Sequence, residues 1–253
     1  YMLLQAQAGT DPHDPFSTAP VTDLDSPLEQ ADLGSIRAMI TPDLGSAAMS
    51  HAYSSIFADR TSHFRHHFAA AIDASPDFTD GDNCFEVLRG VNFVAAHGGR
   101  VRDHRDSLSP NVVDNVDRGL AYSLADVAEA HLQQSRIARA WLDLFEDIDV
   151  VICPAASSTP FPHDQWSVSE IDGETMETYM RWLGITYLPT MALACGIALP
   201  CGLDQAGMPF GIQVLSAPGN DRLVAEVAKA LESVLQCHDA TRRPLPDLDS
   251  LRG

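Results

Sequence analysis

The sequence predicts an α/β fold, and three observations lead to that class. Stretches with apolar residues at helical spacing alternate along the chain with short apolar runs. The run at residues 150–152 is continuous and β-branched, which is typical of a strand buried on both faces of a sheet. Residues 197–200 and 210–215 indicate two more strands, joined by a turn around residues 204–209. We therefore expect helices packed against a sheet of buried strands.

The first half of the chain supplies one strand and two long helices to this prediction. Residues 1–8 indicate the end of a helix that stops at Gly9, and residues 36–40 indicate a strand. Apolar residues at helical spacing predict a helix over 46–74, ended by Pro76, and another over 81–105.

The second half begins with a capping signal. Ser123 followed by Asp126 predicts the start of a helix that runs to about residue 146. A long loop over 153–173, a helix over 176–195 with breaks near Pro189, and a last helix over 219–236 capped by Asn220 or Asp221 complete the elements. We expect a single domain made of a crossing segment (1–34), an α/β core (35–240) and a frayed tail (241–253).

Charge and composition exclude several classes of partner. The net charge of −19 argues against binding to nucleic acid or to an anionic membrane, because both require basic surface. The chain has no apolar stretch long enough to cross a membrane and no signal peptide at its first residues. The five cysteines form no Cys-x-x-Cys pair and lie among apolar residues, so we expect reduced, mostly structural thiols in a cytoplasmic protein.

A histidine cluster is the single candidate for a metal site. His63 and His67 stand four apart on the predicted helix, a spacing that can hold zinc. No third ligand follows at the expected spacing, and no glutamate lies between them. We expect a solvated helix face, with no metal and no cofactor.

Three groups of residues superficially suggest a nucleophile, and each has a simpler interpretation. Ser157 and Ser158 lack the flanking glycines that would aim backbone N–H groups at an oxyanion, so a solvent-accessible loop is expected. Lys229, the single lysine, falls in an amphipathic helix and is expected at the surface. The remaining combination is a Cys–His–Asp set, which nothing in the sequence brings together; its members would be Cys195, Cys201, His163 and Asp164. No residue of the chain is therefore assigned a catalytic role.

A series of short motifs resembles the C-terminal part of the amidase signature hydrolases. Residues 11–15 read D-P-H-D-P, residues 149–154 read D-V-V-I-C-P, and residues 207–213 read G-M-P-F-G-I-Q. Similar matches run from residue 36 to 45, from 108 to 128 and from 200 to 202. Each motif is weak by itself, but their order and spacing extend the resemblance over residues 1–235.

The resemblance implies a mixed β-sheet flanked by helices and an enzyme that hydrolyses a non-peptide amide. In that family a lysine and two serines, one in a cis peptide linkage, perform the reaction. The glycine-rich serine segment of the family does not occur in this sequence, and the first residue is Tyr1 rather than methionine. We therefore expect a truncated start, with the catalytic N-terminal half of the enzyme as the missing partner and this chain alone inactive.

The resemblance also suggests where substrate would bind. The predicted helix before Pro200 carries Trp182, Tyr187 and Thr190, which we interpret as substrate-binding residues for a small-molecule amide. The sequence departs from the family pattern at Thr190, Leu193 and Cys195, which affects the same wall of the pocket. Two other functions stay open: the amidase subunit of a tRNA-dependent amidotransferase, and a non-catalytic α/β binding module. A homodimer is also left open.

Overall fold

The computed structural model describes residues 1–20 and 22–245. The last part of the predicted tail, residues 246–253, lies outside the described residues. Seven helices in this part of the chain are α1 Met2–Gln7, α2 His51–Ser62, α3 Gly81–His104, α4 Pro110–Ala121, α5 Leu124–Leu144, α6 Gly184–Met191 and α7 Asp221–Leu235. The strands in the described ranges are β1 Arg37–Ile40, β2 Ala70–Asp73, β3 Val150–Pro154, β4 Glu170–Ile171, β5 Glu174–Thr175, β6 Cys195–Leu203 and β7 Pro209–Ser216.

A five-stranded mixed sheet organises the molecule, in the order β2-β1-β3-β7-β6. Strand β1 pairs in parallel with β2 on one side and with β3 on the other. Strand β7 pairs antiparallel with both β3 and β6. The fold is thus α/β with a mixed sheet, as the sequence and the family resemblance predicted.

Strand β3 shows why the sheet is buried on both faces. Its side chains alternate: Val150 and Ile152 join a core with residues of α2 and α7, whereas Val151 and Cys153 join a second core with residues of α3, α5 and α6. All five residues of β3 are buried. A strand covered on both faces needs an unbroken apolar run, and this explains the signal at 150–152.

An ion pair fixes the starts of β1 and β3 against each other. Arg37 Nη2 lies 3.0 Å from Asp149 Oδ1, and the backbone N–H of Arg37 donates to Asp149 Oδ2 at 2.7 Å. These bonds hold the pKa of Asp149 below its usual value. Asp149 is the first residue of the D-V-V-I-C-P motif. Because its bonds to Arg37 hold β1 against β3, its role in that motif is structural.

The helix predicted over 46–74 is wrong in its second half. Helix α2 ends at Ser62, a 3-10 turn follows at Arg65–His67, and residues 70–73 form β2. Phe64 and Phe68 are both buried, with ring centroids 6.5 Å apart. Burying these two rings against the sheet turns the chain, and non-local pairing with β1 then selects the strand.

The helix predicted over 176–195 is also wrong over much of its length. Residues 174–175 form β5, a 3-10 turn covers Arg181–Leu183, and the regular helix α6 spans eight residues. The predicted loop at 153–173 contains β4, which pairs antiparallel with β5. The strand predicted at 197–200 is longer and begins at Cys195.

Other local predictions are confirmed. Helix α3 covers almost the whole range expected from its periodicity. Ser123 and Asp126 form a complete capping box at the start of α5. Asn220 precedes α7, but its side chain donates to Ser216 Oγ at 3.0 Å rather than capping the helix. Among the described residues, no helix combines the length and the apolar character that crossing a membrane requires.

Candidate amidase-type site

The candidate site lies where β1 and β3 end. In a sheet with parallel strands, ligands bind beyond the carboxyl ends of those strands. The chain that follows β3, residues 155–191, is called the rim segment here. It contains a small apolar cluster of its own, in which Trp182 packs edge-on to Phe161 at 5.4 Å; the buried members of the cluster are Val168, Ile171 and Met176.

The β4–β5 hairpin closes one side of the rim segment. Its turn is Asp172-Gly173, and both residues have positive φ angles, of 49° and 89°. This sequence suits the tight turns of two-residue hairpins. The Asp172 carboxylate accepts a hydrogen bond of 2.6 Å from the backbone N–H of His51, the first residue of α2. A carboxylate is favoured there, because the first N–H groups of a helix lack partners within it.

Gln213 ties the rim segment to the sheet. Its Nε2 atom donates to the carbonyl of Pro154 at 3.1 Å and to the carbonyl of Ile185 at 2.8 Å. The Ile185 carbonyl needs this donor, because residue 189 is a proline and has no N–H to give to the carbonyl four residues before it. Gln213, the last residue of the G-M-P-F-G-I-Q motif, thus secures the proline-containing helix α6 to the end of β3.

The three predicted substrate-binding residues fall on one helical segment but in different environments. Trp182 is half-buried, Thr190 is exposed, and Tyr187 is 4% exposed. The Thr190 hydroxyl donates to the carbonyl of Tyr187 at 2.6 Å. Trp182 and Thr190 are therefore placed where another molecule could contact them, whereas Tyr187 is held in the core.

Tyr187 is fixed by residues of α3 that sequence reasoning missed. Its ring stacks on Phe85 with centroids 4.0 Å apart, and its hydroxyl donates to Asp82. Burial and this acidic neighbour raise the pKa of Tyr187. Asp82 also forms an ion pair with Arg181. Charged residues at helical spacing on one face of α3 were the available signal, but their partners lie about a hundred residues away in sequence.

Ser157 differs from its prediction. We expected a solvent-accessible loop, but the residue is 1% exposed and its hydroxyl has no hydrogen-bond partner among the described residues. Its carbonyl accepts from the N–H of Ser50, which places it against the start of α2. The Ser158 hydroxyl donates to the carbonyl of Thr159 at 3.3 Å. Neither serine is bonded to a base.

The surroundings of Cys195 and Cys201 disfavour the reactive thiolate. Burial raises the pKa of Cys195 to about 11 and that of Cys201 to about 12. Cys195 Sγ donates to the carbonyl of Ala217 at 3.1 Å, and Cys201 is fully buried on β6. His163 and Asp164 lie exposed in the rim segment. The Cys–His–Asp set stays a coincidence of residue types.

The last two candidates from the sequence are Lys229 and the histidine cluster. Lys229 is exposed on α7 and donates to the carbonyl of Leu28 at 2.6 Å, as a surface lysine. The prediction that His63 and His67 share a helix face is wrong, because α2 ends at Ser62. Over residues 1–20 and 22–245, no group of three or more metal-ligating side chains comes together.

Comparisons with known proteins show which proteins this chain is similar to. The family model described as Amidase matches residues 101–225. An acylamidase of Rhodococcus erythropolis is 23% identical over 239 residues, which cover 92% of this chain and 49% of that protein. Over residues 101–225 the chain resembles the amidase family.

Further similarity to amidases is local in sequence and extensive in structure. One of the subunits of a glutamyl-tRNA(Gln) amidotransferase from a Cyanothece strain is 34% identical over 95 residues, or 38% of this chain and 18% of that protein. A solved bacterial aryl acylamidase of the amidase signature family aligns with a TM-score of 0.76 at 18% identity, covering 94% of this chain and 52% of that one. The chain spans about half or less of the length of the curated relatives it matches.

Proposed function

We propose that this chain forms the substrate-recognising part of a C–N hydrolase that cleaves a non-peptide amide. The observation that carries the proposal is the match to an acylamidase along nearly the whole chain, together with the family match over residues 101–225. The rim segment at the carboxyl end of the sheet supports a binding role, because it presents an aromatic side chain beside polar groups.

The bond-breaking groups are proposed to lie outside this chain. A serine or cysteine nucleophile requires a base within hydrogen-bond reach. In the described ranges, none of the hydrogen bonds made by serine or cysteine side chains reaches a histidine ring or the amine of Lys229. A Ser–cis-Ser–Lys set of the family type would therefore be contributed by the other half of the enzyme, as the partner of this chain. The proposed location is the cytoplasm, which the five free thiols support.

Trp182, Tyr187 and Thr190 are proposed to determine which amide is accepted. Trp182 and Thr190 would contact the acyl group or the leaving group. Tyr187 would act indirectly, because its buried side chain fixes the segment that carries them. None of the three is a strong base, so each would affect binding rather than proton transfer.

The test uses the full-length enzyme and a panel of small, aliphatic and aromatic amides. Truncating Trp182 or Thr190 should change kcat/KM for some amides and not others. The change in activation free energy should be roughly 1–3 kcal/mol for a lost apolar contact. Loss of a bond-breaking group would lower kcat/KM for all amides alike. An unchanged ranking in Trp182→Ala and Thr190→Ala, with stability intact, would show that these residues do not line the pocket.

A second candidate is the amidase subunit of a tRNA-dependent amidotransferase. It is favoured by the local identity of 34% to one component of a glutamyl-tRNA(Gln) amidotransferase. The net charge of −19 gives no support to a surface that faces tRNA. Glutamine hydrolysis that depends on partner proteins and charged tRNA would decide for this candidate. A full-length protein without any amide turnover would instead favour a non-catalytic binding module.

A further inference from the structure

Three charged residues of α3 form a stripe that faces the rim segment. Asp82, Glu86 and Arg89 follow one another at spacings of four and three, which places them on one face of the helix. All three are partly buried. Charged side chains are seldom placed at packed positions without specific partners, so the partners identify what the stripe does.

Asp82 and Glu86 contact residues before, at the start of and after the 3-10 turn. Asp82 pairs with Arg181 and accepts the hydroxyl proton of Tyr187. Glu86 Oε1 accepts from the hydroxyl of Thr178 at 3.1 Å. Two carboxylates therefore hold three separate points between residues 178 and 187.

Arg89 holds Tyr179, which lies between Thr178 and Arg181. Its Nη2 atom donates to the hydroxyl oxygen of Tyr179 at 2.7 Å, and its Nε atom donates to Asn115 Oδ1 at 3.1 Å. Asn115 Nδ2 donates to the same Tyr179 oxygen at 3.0 Å. The guanidinium lies 4.4 Å from the ring centroid of Phe93, on the same helix. A planar guanidinium held by several fixed partners is a rigid anchor.

The rim segment has little local structure to position itself here. Residues 178–183 make one 3-10 turn, with backbone bonds from Arg181 to Thr178 and from Leu183 to Met180. Contacts with α3 therefore contribute much of what fixes its position. Trp182 lies within this anchored stretch, between Arg181 and the start of α6.

We propose that Asp82 and Arg89 are positioning residues that fix residues 178–187 and thereby set the substrate preference of the enzyme through Trp182. This inference rests on the proposed function. It assigns a role in substrate choice to residues of α3 that do not themselves contact substrate.

The experiment compares Asp82→Asn, Arg89→Met and Arg89→Lys with the wild type in the full-length enzyme. Asp117→Asn is the matched control, because Asp117 pairs with Arg105, directly after the end of α3, in an exposed ion pair that includes no residue of the rim segment. We expect KM for the preferred amide to rise by roughly tenfold in Asp82→Asn and Arg89→Met, since each loses a bond to a charged group. The ranking of amides should change, kcat should stay within about twofold, and Asp117→Asn should behave as the wild type.

Amide hydrogen exchange over residues 176–191 provides a readout that does not depend on activity. We expect faster exchange there in Asp82→Asn and Arg89→Met, and unchanged exchange in Asp117→Asn. Arg89→Lys keeps the charge but loses the fork of donors, so it should fold and still show a shifted ranking.

The outcomes separate the two proposals. Wild-type turnover with unchanged ranking, KM and exchange in the α3 variants would overturn the positioning role and leave the proposed function standing. Faster exchange with an unchanged ranking would also overturn it, because α3 would then serve stability alone. A wild type without amide turnover would refute the proposed function, and exchange would still decide whether α3 holds the segment.

Discussion

Replacing Gln213 with leucine should destabilise the protein by about 2–4 kcal/mol. The side chain satisfies the carbonyls of Pro154 and Ile185, at 3.1 and 2.8 Å. Each carbonyl left without a partner costs about 1–3 kcal/mol when it is buried. Ile185 is fully buried, and the proline at 189 removes the helical donor, so neither water nor the helix can replace Gln213.

Urea denaturation followed by fluorescence and by circular dichroism gives the free energy of unfolding. Gln236→Leu is the control, because it makes the same chemical change at an exposed position at the end of α7 and should stay within about 0.5 kcal/mol. A loss below about 0.5 kcal/mol in Gln213→Leu would refute the reasoning, since the two carbonyls would then have other partners.

Two further predictions concern the packing of α3 and the ion pair at the sheet. A Cβ atom on Gly119 would lie 2.3 Å from the carbonyl oxygen of Gly90, so Gly119→Ala should destabilise the protein by about 2 kcal/mol. Gly98→Ala should be slightly stabilising, because its nearest neighbour is a side-chain atom 3.7 Å away; equal urea midpoints for the two variants would contradict this. Since the pKa of Asp149 is lowered in the folded state, its stabilisation is present above its unfolded pKa of about 3.9 and is lost as pH falls through the folded value. The stability difference between wild type and Arg37→Met should therefore shrink as the pH is lowered from 6 towards 3, and a difference independent of pH would contradict the assignment.

Elements with a local cause could be predicted from the sequence. The capping box of Ser123 and Asp126 places the start of α5, and the apolar run of β3 predicts a strand buried on both faces. The order of short motifs was sufficient to suggest the family. In each case the decisive residues are neighbours in sequence, so local propensity and tertiary structure agree.

The sequence predictions are wrong where contacts between residues distant in sequence determine the local structure. Strand β2 carries apolar residues that also fit a helix, and its pairing with β1, over thirty residues away, selects the strand. Helix α6 is short because the rim segment is held by α3 and by Gln213, not by its own periodicity. Ser157 lies in a stretch that resembles a surface loop, yet contact with the start of α2 buries it. The residues proposed to bind substrate depend on the same long-range contacts, so the sequence could suggest Trp182 but not the residues that support it.

Amide turnover by serine and cysteine variants tests most directly the claim that this chain recognises substrate but does not break the bond. The full-length enzyme and this 253-residue chain would be assayed on the same panel of amides, each as wild type, Ser157→Ala and Cys195→Ala. We expect turnover by the full-length enzyme that survives both substitutions, and none by the chain alone. Turnover by the chain alone that either substitution abolishes would contradict the account, because a nucleophile would then lie within these residues.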